Sequence, residues 1–275
     1  MKTINIFFIS LLFCFVIISC KTKDVIPEVV CSPISIGYDN AATKYAYDAA
    51  GKIVSGEVDG IPVKFEYTGS NITKMTYSNA TANRVVTIEY DTQNRPVKAK
   101  KVYASTGFNF TQDYIETYDA NGRLSTSRVD IKGDFEILML HRLEYDAKGN
   151  VLKHFVKENA TPEFLWAENS GFDDKKNVTR GVKLNPINLF YEPLNLFDSQ
   201  SENNQTIVKT RVKNSEYLGG IYNVDLKYVY DSYNANGYPM TGTQDYTYEY
   251  DDYDKPSKTL VSKGSAKIKL DYLCK

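Results

Sequence analysis

The stretch Leu143-Glu144-Tyr145-Asp146-Ala147-Lys148-Gly149-Asn150-Val151-Leu152 decides the fold. Residues before Asp146 alternate apolar with polar, and an extended apolar pattern resumes at Val151, the period-two signature of strands. Asp opens a type I turn through its own side chain, and a Gly or Asn three residues later accepts the left-handed conformation that closes the loop. The stretch therefore reads as strand, tight loop, strand. Relatives begin at Tyr47-Asp48, Tyr90-Asp91, Tyr118-Asp119 and Phe172-Asp173, with looser copies at Tyr67-Thr68-Gly69, Tyr230-Asp231 and Tyr250-Asp251-Asp252. The aromatic residues at 67, 90, 118, 145 and 172 lie 23 to 28 residues apart, and a further copy is expected at Ser201 to Val208, inside the gap before Tyr230.

Repeated hairpins that cannot bury an apolar face alone must lie side by side, which predicts an all-β antiparallel meander of about 14 to 16 strands. Val86, Ile88 and Tyr90 alternate with Thr87 and Glu89; Ala266, Ile268, Leu270 and Tyr272 alternate with Lys267, Lys269 and Asp271. One face is apolar and Tyr-rich and the other charged, so the sheet must curl into a barrel or half-barrel that stands in water. The rival is a transmembrane barrel with its apolar face toward lipid. The turn spacing leaves strands of about seven residues, fewer than the ~9–11 that cross a bilayer.

Ahead of this body, residues 1–19 carry Lys2 and then a run rich in Ile, Phe and Leu, the pattern of a signal peptide. The run ends Ile17-Ile18-Ser19-Cys20, which resembles the lipobox of bacterial lipoproteins; by that resemblance Cys20 becomes the lipid-bearing first residue of the mature chain. Residues 20–33 lack alternation and contain Pro27 and Pro33, as a tether would, and residues 34–275 form a single β domain. Of the remaining cysteines, Cys14 leaves with the signal, and Cys31 and Cys274 stand at the two ends of the body. Export favours a bridge between them, with two buried thiols as the alternative.

The repeated Tyr-Asp-x-x-Gly-Arg/Lys-Leu/Ile resembles the YD repeats of RHS proteins. Behind a lipobox, the whole of residues 38 to 273 is similar to an uncharacterised family of secreted Gram-negative lipoproteins with a porin-like β fold. The resemblance implies an envelope protein anchored in the outer membrane, with no established activity.

Residues 183–197 break the alternation with Pro186 and Pro193 in an apolar run, and a plug or lid over one end of the barrel is expected there. Phe190, Tyr191 and Phe197 in that stretch, with Trp166 in the preceding repeat, are the candidate ligand or lid residues. His141 and His154 are the only two histidines and have no metal-ligand spacing. The acidic groups Asp173-Asp174 and Asp251-Asp252-Tyr253-Asp254 lack the order of a calcium loop and read as solvated turn carboxylates. No nucleophile elbow or phosphate loop is present, so neither a catalytic residue nor a cofactor is expected. The net charge is −1 with no basic stripe, which disfavours nucleic acid as a partner. The expected function is non-enzymatic binding of a protein or glycan partner by an envelope protein whose 22 tyrosines suit such contacts. The alternatives are a carrier of an apolar ligand, recognised by a cavity of a few hundred Å3, and a hydrolase with two carboxylates in one cleft.

Overall fold

A computed structural model describes residues 31–38, 41–58, 61–79, 82–105, 107–177, 200–213, 220–252 and 255–274. Sixteen strands follow in chain order: β1 (Cys31–Tyr38), β2 (Ala41–Tyr47), β3 (Ile53–Val58), β4 (Ile61–Thr68), β5 (Asn71–Ser78), β6 (Ala82–Tyr90), β7 (Pro96–Ser105) and β8 (Phe108–Tyr118). They continue with β9 (Leu124–Lys132), β10 (Glu136–Tyr145), β11 (Val151–Glu158), β12 (Phe164–Lys176), β13 (Asn203–Lys213), β14 (Gly220–Tyr233), β15 (Pro239–Asp252) and β16 (Lys255–Cys274). Each pairs antiparallel with its neighbours in sequence, and β1 pairs with β16 to close the barrel. The expected meander is thus a closed barrel, and Ser201 to Val208 does lead into a strand, β13.

The repeated phrase works as its chemistry dictates. In the turn after β8, Asp119 Oδ1 accepts the amides of Asn121 and Arg123, each at 2.9 Å. The Gly122 amide closes back on the Asp119 carbonyl, with Gly122 at φ 77°. Asn94 fills the same place after β6 at φ 59°, since Asn tolerates this region better than other side-chain-bearing residues. The Tyr of each repeat then clasps the repeat before it. Tyr47, Tyr67, Tyr90, Tyr118 and Tyr145 donate their hydroxyls to the carbonyls of Pro33, Ile53, Ile72, Pro96 and Leu124, at 2.6 to 2.8 Å. Arg95 and Arg123 hold the turn carboxylates Asp91 and Asp119 and lie over the rings of Tyr118 and Tyr145, 4.5 Å from each centroid. Tyr118→Phe removes one clasp and keeps the ring. A loss of about 1 kcal/mol is expected, that of an ordinary hydrogen bond, and urea unfolding beside wild type measures it.

Three copies differ from the sequence reading. The turn after β14 is built on Tyr233-Asn234, where Asn234 Oδ1 accepts the amides of Asn236 and Tyr238, and Tyr230-Asp231 lies within the strand. Phe172-Asp173 starts no tight turn, because β12 runs on to Lys176. Tyr250-Asp251 closes β15 at the opposite end of the barrel from the other copies. The domain also begins earlier than expected, since Cys31 to Pro33 lie in β1.

The strands run from 6 to 20 residues, so several are long enough to cross a bilayer and the length argument against a membrane barrel does not hold. The outer face supplies a better one. Lys44–Glu57, Glu66–Lys74 and Glu89–Lys98 form ion pairs between residues directly opposite each other on neighbouring strands, at 3.4, 2.7 and 3.8 Å. A lysine on a lipid-facing strand costs ~2–4 kcal/mol at mid-bilayer, so the outer face of β2 to β7, which carries these pairs, is suited to water. The inner face is the reverse: Met75, Val86, Val129 and Val151 are 0% exposed. One apolar cluster joins inner residues of β2 to β9, and a second joins β9 to β13. Side chains therefore occupy the interior where an open channel would expose them to water, and the Tyr-rich face turns inward as expected.

Candidate functional site

The repeat turns 48–52, 69–70, 91–95, 119–123, 146–150 and 234–238 gather at one end of the barrel, together with Cys31 and Cys274. Inside that end lies a cavity of about 500 Å3, within the ~300–1,000 Å3 of small-molecule sites. Its walls are the rings of Tyr47, Tyr67, Tyr90 and Tyr118 from four successive repeats. Burial raises the phenols of Tyr47, Tyr90 and Tyr118 well above their ordinary range, so they stay protonated and their donors stay on the backbone carbonyls.

The lining is graded with depth. Ile53 and Ile72, 5% and 6% exposed, belong to the first apolar cluster and form the floor. The rim is polar and comes from the turns: Lys52, Ser70, Asn71, Asn94, Arg95 and Gln200. Asn71 Nδ2 donates to Asn94 Oδ1 at 3.0 Å, and Lys52 Nζ donates to the Gly69 carbonyl while lying over the Tyr67 ring. Arg95 is held by Asp91, whose carboxyl is lowered by the Arg95 amide and guanidinium. No carboxylate is among the described residues that line the cavity, so the paired acids of a glycosidase are not assembled there.

A different inner region holds the two histidines, whose sequence spacing pointed to no metal site. His141 Nδ1 and His154 Nε2 are 2.9 Å apart, and both rings are buried. Burial pushes His141 down to about 4 and His154 down to about 3, so both are neutral at pH 7. Ser127 stands opposite His141 on β9 and donates to Glu116 Oε1 at 3.3 Å. Burial lifts the Glu116 carboxyl to about 7. Among the described residues, no three His, Cys, Asp or Glu side chains converge as metal ligands.

The residues singled out from the sequence fare differently. Cys31 and Cys274 are bonded and face each other across the β1–β16 seam, with Cα atoms 4.0 Å apart. Trp166 is the extra residue of a bulge, since His154 pairs with Ala167 and Phe155 with Leu165. Its indole lies 6.4 Å from the His154 ring, against the second apolar cluster, and it is not among the lining of the cavity. Cys20, Phe190, Tyr191, Phe197 and the 183–197 stretch lie outside the described residues. The lining residues were visible only as turn chemistry: the Tyr that opens each copy and the Lys or Arg that ends its loop.

No protein-family model matches the chain, and no curated protein matches it. Solved structures do. A porin-like protein from Bacteroides vulgatus ATCC 8482 aligns with a TM-score of 0.50 at 12% identity, over 87% of this chain and 98% of that one. A second porin-like protein, from Bacteroides uniformis ATCC 8492, aligns with a TM-score of 0.49 at 11% identity, over 90% and 96% of the two chains. The first of these likenesses is one of fold: the hairpin meander of this chain has the architecture of a porin-like barrel.

Proposed function

We propose that this chain is a non-enzymatic, lipid-anchored protein of the Gram-negative cell envelope that holds a small, partly apolar ligand in the tyrosine-walled end of its barrel. The cavity carries this reading: 500 Å3 of space with an apolar floor and a polar rim, beside apolar clusters packed across β2 to β13. Such a site favours the carrier over a surface that only docks a protein or glycan partner. The Cys31–Cys274 bridge supports an exported location, because structural disulfides persist in oxidising compartments.

Titration of the barrel with a fluorescent fatty acid tests the ligand reading. Ala50→Trp, which places a large ring at the rim, should weaken binding at least tenfold, while Val102→Trp on the outer wall leaves it unchanged. Absence of saturable binding, or equal binding by both variants, overturns the carrier reading; saturable binding of a free oligosaccharide in its place would return the site to glycans. For the anchor, Cys20→Ala should move the folded protein from the membrane to the soluble fraction. Retention of that variant on membranes after a carbonate wash overturns lipidation.

A further inference from the structure

We infer that the cavity opens toward the bilayer that anchors the chain, and that its ligand is a single-chain amphiphile taken from that bilayer. The inference rests on the anchoring and ligand reading above and adds the direction of the mouth and the source of the ligand. Its first support is where the chain enters the fold. Cys31 begins β1 at the repeat-turn end, against Asn234 and Asn236, and Ser32, the next residue, is itself part of the cavity lining. From an anchored Cys20 to Cys31 is eleven residues, which reach at most ~36–40 Å even when fully extended.

That reach sets the orientation. A strand such as β8, eleven residues long, runs ~36 Å at 3.3 Å per residue, less its tilt. To set the opposite end of the barrel on the membrane, the leader would have to run back along the wall, using most of its reach. With the repeat-turn end down, any conformation of those eleven residues suffices, so chain entropy favours the mouth facing the membrane.

The second support is the grading of the site. An apolar floor at Ile53 and Ile72 beneath a rim of Lys52, Asn71 and Asn94 is matched by a molecule with one greasy end and one polar end. A glycan would instead set hydroxyls against Ile53 and Ile72, which offer them no side-chain hydrogen-bond partner. At ~30 Å3 for a water-sized group, the 500 Å3 volume takes on the order of sixteen such groups, which is one acyl chain and not two. The charged outer wall keeps the rest of the barrel from sinking into lipid, so contact is confined to the rim.

The test uses the full lipidated protein in phosphatidylethanolamine–phosphatidylglycerol vesicles that carry a headgroup-level nitroxide lipid. A fluorophore is attached at Ser70→Cys on the rim and, separately, at Asp134→Cys in the turn between β9 and β10 at the other end. The Ser70 label should be quenched at least threefold more than the Asp134 label. Equal or inverted quenching overturns the orientation, while fatty-acid binding by the barrel in solution would leave the carrier reading standing. In the same vesicles, transfer of a fluorescent lysophospholipid to acceptor vesicles should fall about tenfold with Ala50→Trp. Unchanged transfer overturns the assignment of the ligand to a membrane amphiphile, whatever the quenching shows.

Discussion

Replacing Cys31 and Cys274 together by Ser lowers the unfolding free energy by about 5 kcal/mol, the chain-entropy estimate for a loop that spans nearly the whole domain. The two residues are separated by 243 positions, and reduction frees the unfolded chain of its longest possible closure. The folded barrel feels the loss at one place. β1 and β16 are neighbours in the barrel but stand at the two ends of the strand order, and the bridge pins the first rung of their ladder, Cys31 opposite Cys274. Without it the seam relies on its backbone ladder and on the packing of Ile268 and Leu270, which are 4% and 2% exposed. Amide exchange in β1 and β16 should therefore accelerate before that of β6 to β9. Urea unfolding of the double variant beside the oxidised parent measures the global effect. A difference below 1 kcal/mol would show that barrel closure does not depend on the covalent link.

Much of this barrel could be read from the spacing of a few residues, and the misreadings have a common cause. A true copy has Asp or Asn at the turn start and Gly or Asn three residues on: Asp48 and Gly51, Asp91 and Asn94, Asp119 and Gly122, Asp146 and Gly149, Asn234 and Gly237. Asp173 has Asn177 four residues on, one too many, and Asp251 has Asp254, so neither supplies the left-handed residue at the required place. Tyr230-Asp231 imitates the motif three residues early, with Asn234 in the place of the left-handed residue, and so hides the real start at Asn234, whose side chain accepts the same two amides as an Asp. Closure was out of reach for local patterns, since it joins the ends of the chain; the terminal cysteines alone pointed to it. The cavity was hidden for a related reason. Its four tyrosines come from separate repeats, and each looked like a strand residue until the barrel turned them toward one another. The pairing of the two histidines could not be read, because alternation tells which face a residue occupies and not which polar neighbour waits there.

That hidden polar row predicts the second large effect, a stability maximum near neutral pH, with a steep acid limb from the two histidines and a shallow alkaline limb from the one carboxylate. The sign for each group follows from which state holds more protons. His141 and His154 have folded values of about 4 and about 3, against ~6.5 when unfolded. As pH falls below ~6.5 the unfolded chain takes up protons that the barrel refuses, so stability is lost toward acid. Together the two amount to a loss on the order of 5 kcal/mol by pH 4, at ~1.4 kcal/mol per unit. Glu116 acts in the other direction. Its folded carboxyl titrates at about 7 and its unfolded one at 4.5, so the stability it contributes is complete below 4.5 and is lost as pH rises to about 7. The cause is an anion confined to the barrel interior, with the Ser127 hydroxyl as its hydrogen-bond donor. Glu116→Gln should accordingly stabilise the protein at pH 8 by on the order of 3 kcal/mol and have little effect at pH 4. His141→Leu with His154→Leu, close in volume to the parent rings, should flatten the acid limb and leave the alkaline one in place. Urea unfolding between pH 4 and pH 8 resolves both limbs. An acid limb that survives the double His variant, or a Glu116→Gln protein weakened at pH 8, would mean that the row is solvated by internal water and carries its charges without the penalty that burial imposes.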